Sequence, residues 1–179
     1  MSNLIKQLKF QQLACQHIPS HREVPSIEVR ERRLSLDLEE STELAEAFGM
    51  GHQYALMLQQ KTEQLLKKYP SDEVLRYNER EVLDALIDKE VINNGSIIET
   101  GMLNLYDHNY TLVYENNMTK CCDSPAIAEE SIQFYRRNDV ACSYRKVITE
   151  QGIKYVIIRT DGKLLKPINF LPVKLNLEL

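Results

Sequence analysis

The chain has 179 residues, 43% of them hydrophobic and 27% charged, an ordinary make-up for a globular protein with one sizeable core or a core plus an appendage. A net charge of −4 gives no basic footprint for nucleic acid, and no apolar run approaches the roughly 18 residues of a membrane span. The N-terminus lacks a signal-like apolar segment, and Cys15, Cys121, Cys122 and Cys142 show neither CxxC nor zinc spacing, so they read as free thiols in a reducing cytoplasm.

Residues 3–16 carry the apolar spacing of a first amphipathic helix. The loop that follows holds Pro19 and Pro25. Ser26 then reads as an N-cap, and a long helix is predicted from Ile27 to Phe48, ended by Gly49-Met50-Gly51. A third helix is predicted over 52–69, stopping at Tyr69-Pro70. The next begins near Leu75 and continues through Ile98, with a bend possible in principle at Asn93-Asn94-Gly95. Gly101 separates it from a helix over 103–119. Ser124-Pro125 is an N-cap followed by a first-turn proline, so a helix over 125–137 follows. After Asn138 the character changes. Segments 143–149 and 154–159 are β-branched, and Thr160-Asp161-Gly162-Lys163 is a turn.

These elements predict an all-α helical bundle over residues 1–138, with a small C-terminal β-hairpin appendage over 139–179. Two acidic segments stand out. On an α-helix at about 100° per residue, Glu39 and Glu43 lie about 40° apart with Glu40 beside them. Leu36, Glu40, Glu43 and Ala47 form one stripe with apolar ends, so the acids sit where protein could face them. Carboxylates that close repel one another, and a divalent cation among them relieves the repulsion. Glu81, Asp84 and Asp88 form a second stripe on a helix that is otherwise apolar nearly all round. Acids there must be solvated in a cleft, paired or metal-bound.

A solvated acidic face is the plain alternative for either stripe alone. A di-iron carboxylate bundle is a second alternative, but it needs Glu-x-x-His, and none of His17, His21, His52 and His108 has a Glu three residues before it. Oxygen-only ligands favour Mg²⁺, with Mn²⁺ as substitute.

Glu39-Glu40-x-x-Glu43 with Glu81-x-x-Asp84 resembles the metal motif of the all-α nucleoside triphosphate pyrophosphohydrolases, which include MazG, the dimeric dUTPases and phosphoribosyl-ATP pyrophosphohydrolase. Asn116-Asn117-Met118-Thr119-Lys120 resembles the Ser-Asn-Met-Ser-Lys motif of the MazG-like branch, and Asp161-Gly162-Lys163-x-x-Lys166-Pro167-x-x-Phe170 resembles its closing segment. The chain departs from the pattern in a longer stretch over 52–74, in Asn116 for the expected Ser, in Glu115 beside it, and in Asn93-Asn94 where relatives often carry an aromatic residue. The resemblance implies a MazG-like fold and hydrolysis of a (d)NTP between its α- and β-phosphates, giving monophosphate and pyrophosphate in nucleotide-pool sanitation. A dUTP- or dCTP-like substrate is expected.

The same resemblance implies residue roles. Glu39, Glu40, Glu43, Glu81 and Asp84 would hold Mg²⁺, which bridges phosphate oxygens and activates a water. Glu39 or Glu43 would orient or deprotonate that water. Lys120 and Asn117 would bind phosphate oxygens. Asp88 would support the site, paired with a basic side chain such as Arg33. The apolar circumference of the second acidic helix predicts a homodimer or a dimer of dimers, with neither nucleic acid nor membrane as a partner. The competing expectations are a non-catalytic helical dimer that binds metal or nucleotide, and phosphoribosyl-ATP hydrolysis.

Overall fold

The computed structural model describes residues 1–74, 76–149 and 152–178. Among them run helices α1 (Asn3–Leu13), α2 (Ile27–Ala47), α3 (Gly51–Lys68), α4 (Glu79–Glu99), α5 (Leu103–Met118) and α6 (Pro125–Arg137), then strands β1 (Cys142–Thr149), β2 (Gly152–Arg159) and β3 (Leu164–Leu165). No described helix is long and apolar enough to cross a membrane. The chain divides into two compact units, Met1–Ser20 with Asp88–Leu179, and His21–Ile87.

The first unit is organised around a strand. The sheet is antiparallel in the order β1-β2-β3, and β2 lies in the middle. Val156, Ile157 and Ile158 are consecutive and all buried. Side chains alternate faces along a strand, so a continuous buried run means that both faces are covered. Ile157 packs with Cys122 and with Ala128 and Ile132 of α6. Val156 and Ile158 pack on the other side with Leu13, Met118 and Cys121, from the C-terminal ends of α1 and α5. Cys122 also pairs with Tyr155 through two backbone hydrogen bonds of 2.7 and 2.9 Å, which continues the β3 side of the sheet.

The expected all-α MazG-like bundle with a hairpin appendage is therefore corrected. Six helices accompany a three-stranded sheet, and the sheet holds the buried core of its unit. The physical reason is the Val156-Ile157-Ile158 run. It is too apolar for a one-faced hairpin, and α6 takes one face while α1 and α5 take the other.

Polar anchors fix this packing. Ser124 caps α6 by accepting from the Ile127 amide at 3.3 Å, as Ser-Pro predicts. The fully buried Ser131 hydroxyl donates to the Ile127 carbonyl at 2.7 Å and accepts from the Ile168 amide at 3.1 Å. Lys6 of α1 is buried at 9% exposure, with its ammonium donating to Thr111 of α5 at 2.6 Å and lying over the Tyr110 ring. Asn109 and Asn116 of α5 hold the extended C-terminal segment. Asn109 donates to the Asn176 carbonyl and accepts from its amide, both at 2.7 Å. Asn116 donates to the Leu171 carbonyl at 2.7 Å and accepts from the Val173 amide at 3.3 Å.

The unit His21–Ile87 contains α2, α3 and the first turns of α4. Ser26 caps α2 by accepting from the Val29 amide at 3.3 Å. Gly49, at φ +70, ends it in a left-handed turn in which the Met50 amide donates back to Ala45. Helix α2 packs against α3, and the first turns of α4 add no comparable packing. Among the described residues here, Ala45 alone is buried. The predicted helix start near Leu75 lies outside the described residues; Asn78 caps α4, its side chain accepting from the Glu81 amide at 3.4 Å. Helix α4 runs unbroken through Asn93-Asn94-Gly95.

Candidate functional site

The two acidic stripes form as helices in the predicted register. Glu39, Glu40 and Glu43 lie on α2, and Glu81, Asp84 and Asp88 on α4. All six are exposed. Among the described residues, no three Asp, Glu, His or Cys side chains gather closely enough to hold a metal ion. The carboxylates are thus displayed along two helices rather than converged within one chain.

The apolar flanks of these helices are open as well. On α2, Leu34, Leu38 and Leu44 are exposed. On α4, so are Leu83, Leu86, Ile87, Val91 and Ile92, and α4 has no buried residue. Both acidic helices thus carry exposed apolar side chains among the described residues, and on α2 these lie largely across the helix from the acids.

The start of α2 is basic. The Arg30 guanidinium lies 5.8 Å from the centre of the Tyr77 ring, and Arg22 pairs with Glu79 at 3.3 Å. Arg33 remains exposed, although partial desolvation and then the adjacent Arg32 charge draw its guanidinium below the ordinary value. It stays a cation at neutral pH.

Asn117 and Lys120 lie in the other unit, at the end of α5. The Asn117 carbonyl accepts from the Lys120 amide at 3.0 Å. The Lys120 ammonium lies 5.6 Å from the Phe10 ring and 5.9 Å from the Phe170 ring. Lys166 approaches the same Phe170 ring at 5.3 Å. The structure thus joins two segments singled out from sequence: Phe170 of the closing segment meets Lys120, and Asn116 bonds to the chain just after it. A helix C-terminus carries partial negative charge, so a lysine is well placed there.

Shallow clefts lie among the described residues of the sheet-containing unit. One, of about 560 Å³, lies between α6 and residues 166–170, with Phe134, Tyr135 and Phe170 among its lining and Arg137 and Lys166 at its rim. Another, of about 470 Å³, contains Arg136, Arg145 and Arg159. No spacing along the sequence relates these arginines, which lie on a helix end and two strands.

Cysteines sit within the packing as isolated thiols. Burial pushes the Cys122 thiol up to about 11, against the opposing hydrogen bond with Ser131. That marks Cys122 as a core side chain and not a nucleophile.

No family model, curated protein or solved structure matches the chain. Its chemistry is read from its own residues.

Proposed function

We propose that the chain is a Mg²⁺-dependent nucleoside triphosphate pyrophosphohydrolase, akin in its acidic motifs to the MazG-like and dimeric dUTPase-like enzymes, and that it works in the cytoplasm as a homodimer or dimer of dimers. One observation supports the reading: each of two helices presents an exposed acidic stripe, and α4 also presents exposed apolar side chains. A second copy seated on the apolar face of α4 would bury it. Burying one Leu or Ile contributes about 1.5–3 kcal/mol, so the leucines and isoleucines of α4 alone supply a strong drive for association.

The donor chemistry fits the ion. Glu39, Glu40, Glu43, Glu81 and Asp84 are all oxygen ligands, which a hard cation such as Mg²⁺ or Mn²⁺ requires. When bound, Mg²⁺ supplies charge neutralisation at the phosphates and a more acidic water. Glu39 or Glu43, whichever is less engaged by the ion, takes a proton from the attacking water. Arg33 and Asp88 act as flanking groups toward the triphosphate and the acids. The substrate class is a (d)NTP, with dUTP or dCTP favoured.

The test is a panel of (d)NTPs with Mg²⁺, scored for pyrophosphate release. Turnover of at least one is expected, and Glu40→Gln should reduce it by about a hundredfold, the size expected when about 2.7 kcal/mol of metal-borne stabilisation is lost. No turnover of any nucleotide overturns the enzymatic reading. Mg²⁺ binding without turnover would instead identify a non-catalytic metal- or nucleotide-binding helical dimer.

A further inference from the structure

We propose that the groove between α6 and residues 166–170 binds a nucleoside monophosphate with an amino-bearing base, the base on Phe134 and the phosphate at Arg137 and Lys166. The groove has a built direction. Glu130, Gln133, Phe134 and Arg137 are spaced i, i+3, i+4, i+7 and form one stripe of α6. Two hydrogen bonds tie the closing segment alongside that helix. The Tyr135 hydroxyl donates to the Lys166 carbonyl at 2.8 Å, and the Ile168 amide donates to the Ser131 hydroxyl at 3.1 Å. The segment therefore runs antiparallel to α6. Lys166 lies toward the same end of the groove as Arg137, and Glu130 lies about 10 Å from Arg137 along the helix axis.

Between these ends the lining is aromatic. Phe134 is 52% exposed and is braced by a T-shaped contact with Tyr135, ring centres 5.4 Å apart. The Lys166 ammonium lies 5.3 Å from the Phe170 ring, a contact that holds the cation beside the groove. Among the described residues, no carboxylate pairs with Arg137 or Lys166, and no cation pairs with Glu130. A solvated helix face explains Glu130, Gln133 and Arg137. It does not explain an exposed phenylalanine among them, in one cleft with the exposed Ile168.

Each part of the groove matches one part of the ligand. A base gains from stacking on a phenylalanine whatever its identity. A guanidinium meets two phosphate oxygens with parallel hydrogen bonds, and an ammonium adds a point charge. A carboxylate accepts from an exocyclic amine such as that of cytosine, which suits Glu130. The volume of about 560 Å³ lies within the usual range of about 300–1,000 Å³ for small-ligand pockets. Bare phosphate would use only the cationic end, and a nucleoside would leave that end empty. The groove shares no residue with the acidic stripes, so this site stands apart from the hydrolytic reading.

The experiment is calorimetric titration of the full chain in EDTA with AMP, CMP and UMP, with adenosine and cytidine, and with inorganic phosphate. Saturable binding of AMP or CMP is expected, about tenfold tighter than that of the matching nucleoside or of phosphate. UMP, which lacks an exocyclic amine, should bind more weakly, and Glu130→Ala should narrow that difference. Arg137→Ala should weaken the monophosphate about tenfold and leave the nucleoside unchanged, whereas Phe134→Ala should weaken both about tenfold. These three side chains are exposed, and circular dichroism checks that the variants fold. With divalent metal excluded, Glu40→Gln should bind as the unaltered chain does, so a failure of the hydrolytic reading leaves this site standing. Loss of binding in Glu40→Gln would place the nucleotide elsewhere and overturn the proposal. So would no saturable binding of AMP or CMP, equal affinity for AMP, CMP and UMP, equal affinity for monophosphate and nucleoside, or binding unchanged in the Phe134→Ala/Arg137→Ala double variant.

Discussion

Strand β2 and helix α4 are both strongly apolar, yet they meet opposite fates. Ile157 is 1% exposed, whereas Leu86 is 60% exposed. The strand finds partners on both faces within its own unit, in α6 on one side and in the ends of α1 and α5 on the other. The helix buries none of its residues. Apolar content therefore states how much surface needs cover. It does not say whether the same chain supplies that cover.

The sharpest way to break the comparison is a matched pair of truncations. Ile157→Ala should cost about 2–5 kcal/mol, because it leaves a cavity between packed layers. Leu86→Ala should leave the stability of the isolated chain within about 0.5 kcal/mol while weakening self-association. Urea titration and sedimentation measure the two quantities. Equal loss of stability in both variants would erase the distinction drawn here.

A hydroxyl pair tests the same contrast on a smaller scale. Ser131→Ala removes the buried hydroxyl that accepts from the part-buried Ile168 amide and should cost about 1–3 kcal/mol, with faster hydrogen exchange at Ile168. Thr42→Ala on α2 removes only a local bond of 2.8 Å to the Leu38 carbonyl, and its effect should stay within about 0.5 kcal/mol.

The smallest expected effect is acidic. Hydrogen bonds from Arg159, and then from the Lys163 amide, hold the exposed Asp161 carboxyl down at about 2, against about 3.9 in an unfolded chain. Its folded value is depressed, so its contribution is complete above about pH 3.9 and is lost as pH falls through about 2. Asp161→Asn should flatten the dependence of the urea midpoint over that window. Salt should shrink the difference, because the pair is exposed.

Much of the local structure was legible in the sequence. Ser26 and Ser124 cap helices where their positions predict, and Gly49 ends α2 with the left-handed turn that glycine allows. These features depend on a few neighbouring residues. The weight of the sheet does not follow from the expectation of a small appended hairpin. Three consecutive apolar residues, Val156-Ile157-Ile158, are the sign that both faces are covered. The separation of the carboxylates among the described residues was not legible at all. Helical spacing aligns Glu40 with Glu43 and Glu81 with Asp84, but spacing along one helix says nothing about the approach of another.

The amides of Asn109 and Asn116 have a consequence for how the C-terminal segment can vary. They bond to its main chain at residues 171, 173 and 176, much as a neighbouring strand would. The segment is thereby recognised by its peptide groups, and the exposed side chains of Leu175 and Leu177 are left at liberty to change. Proline is the exception. It stands harmlessly at Pro172, whose nitrogen is asked for nothing, but at position 173 or 176 it would silence a donor that an asparagine expects. The tail's grammar is thus written in where a proline can stand.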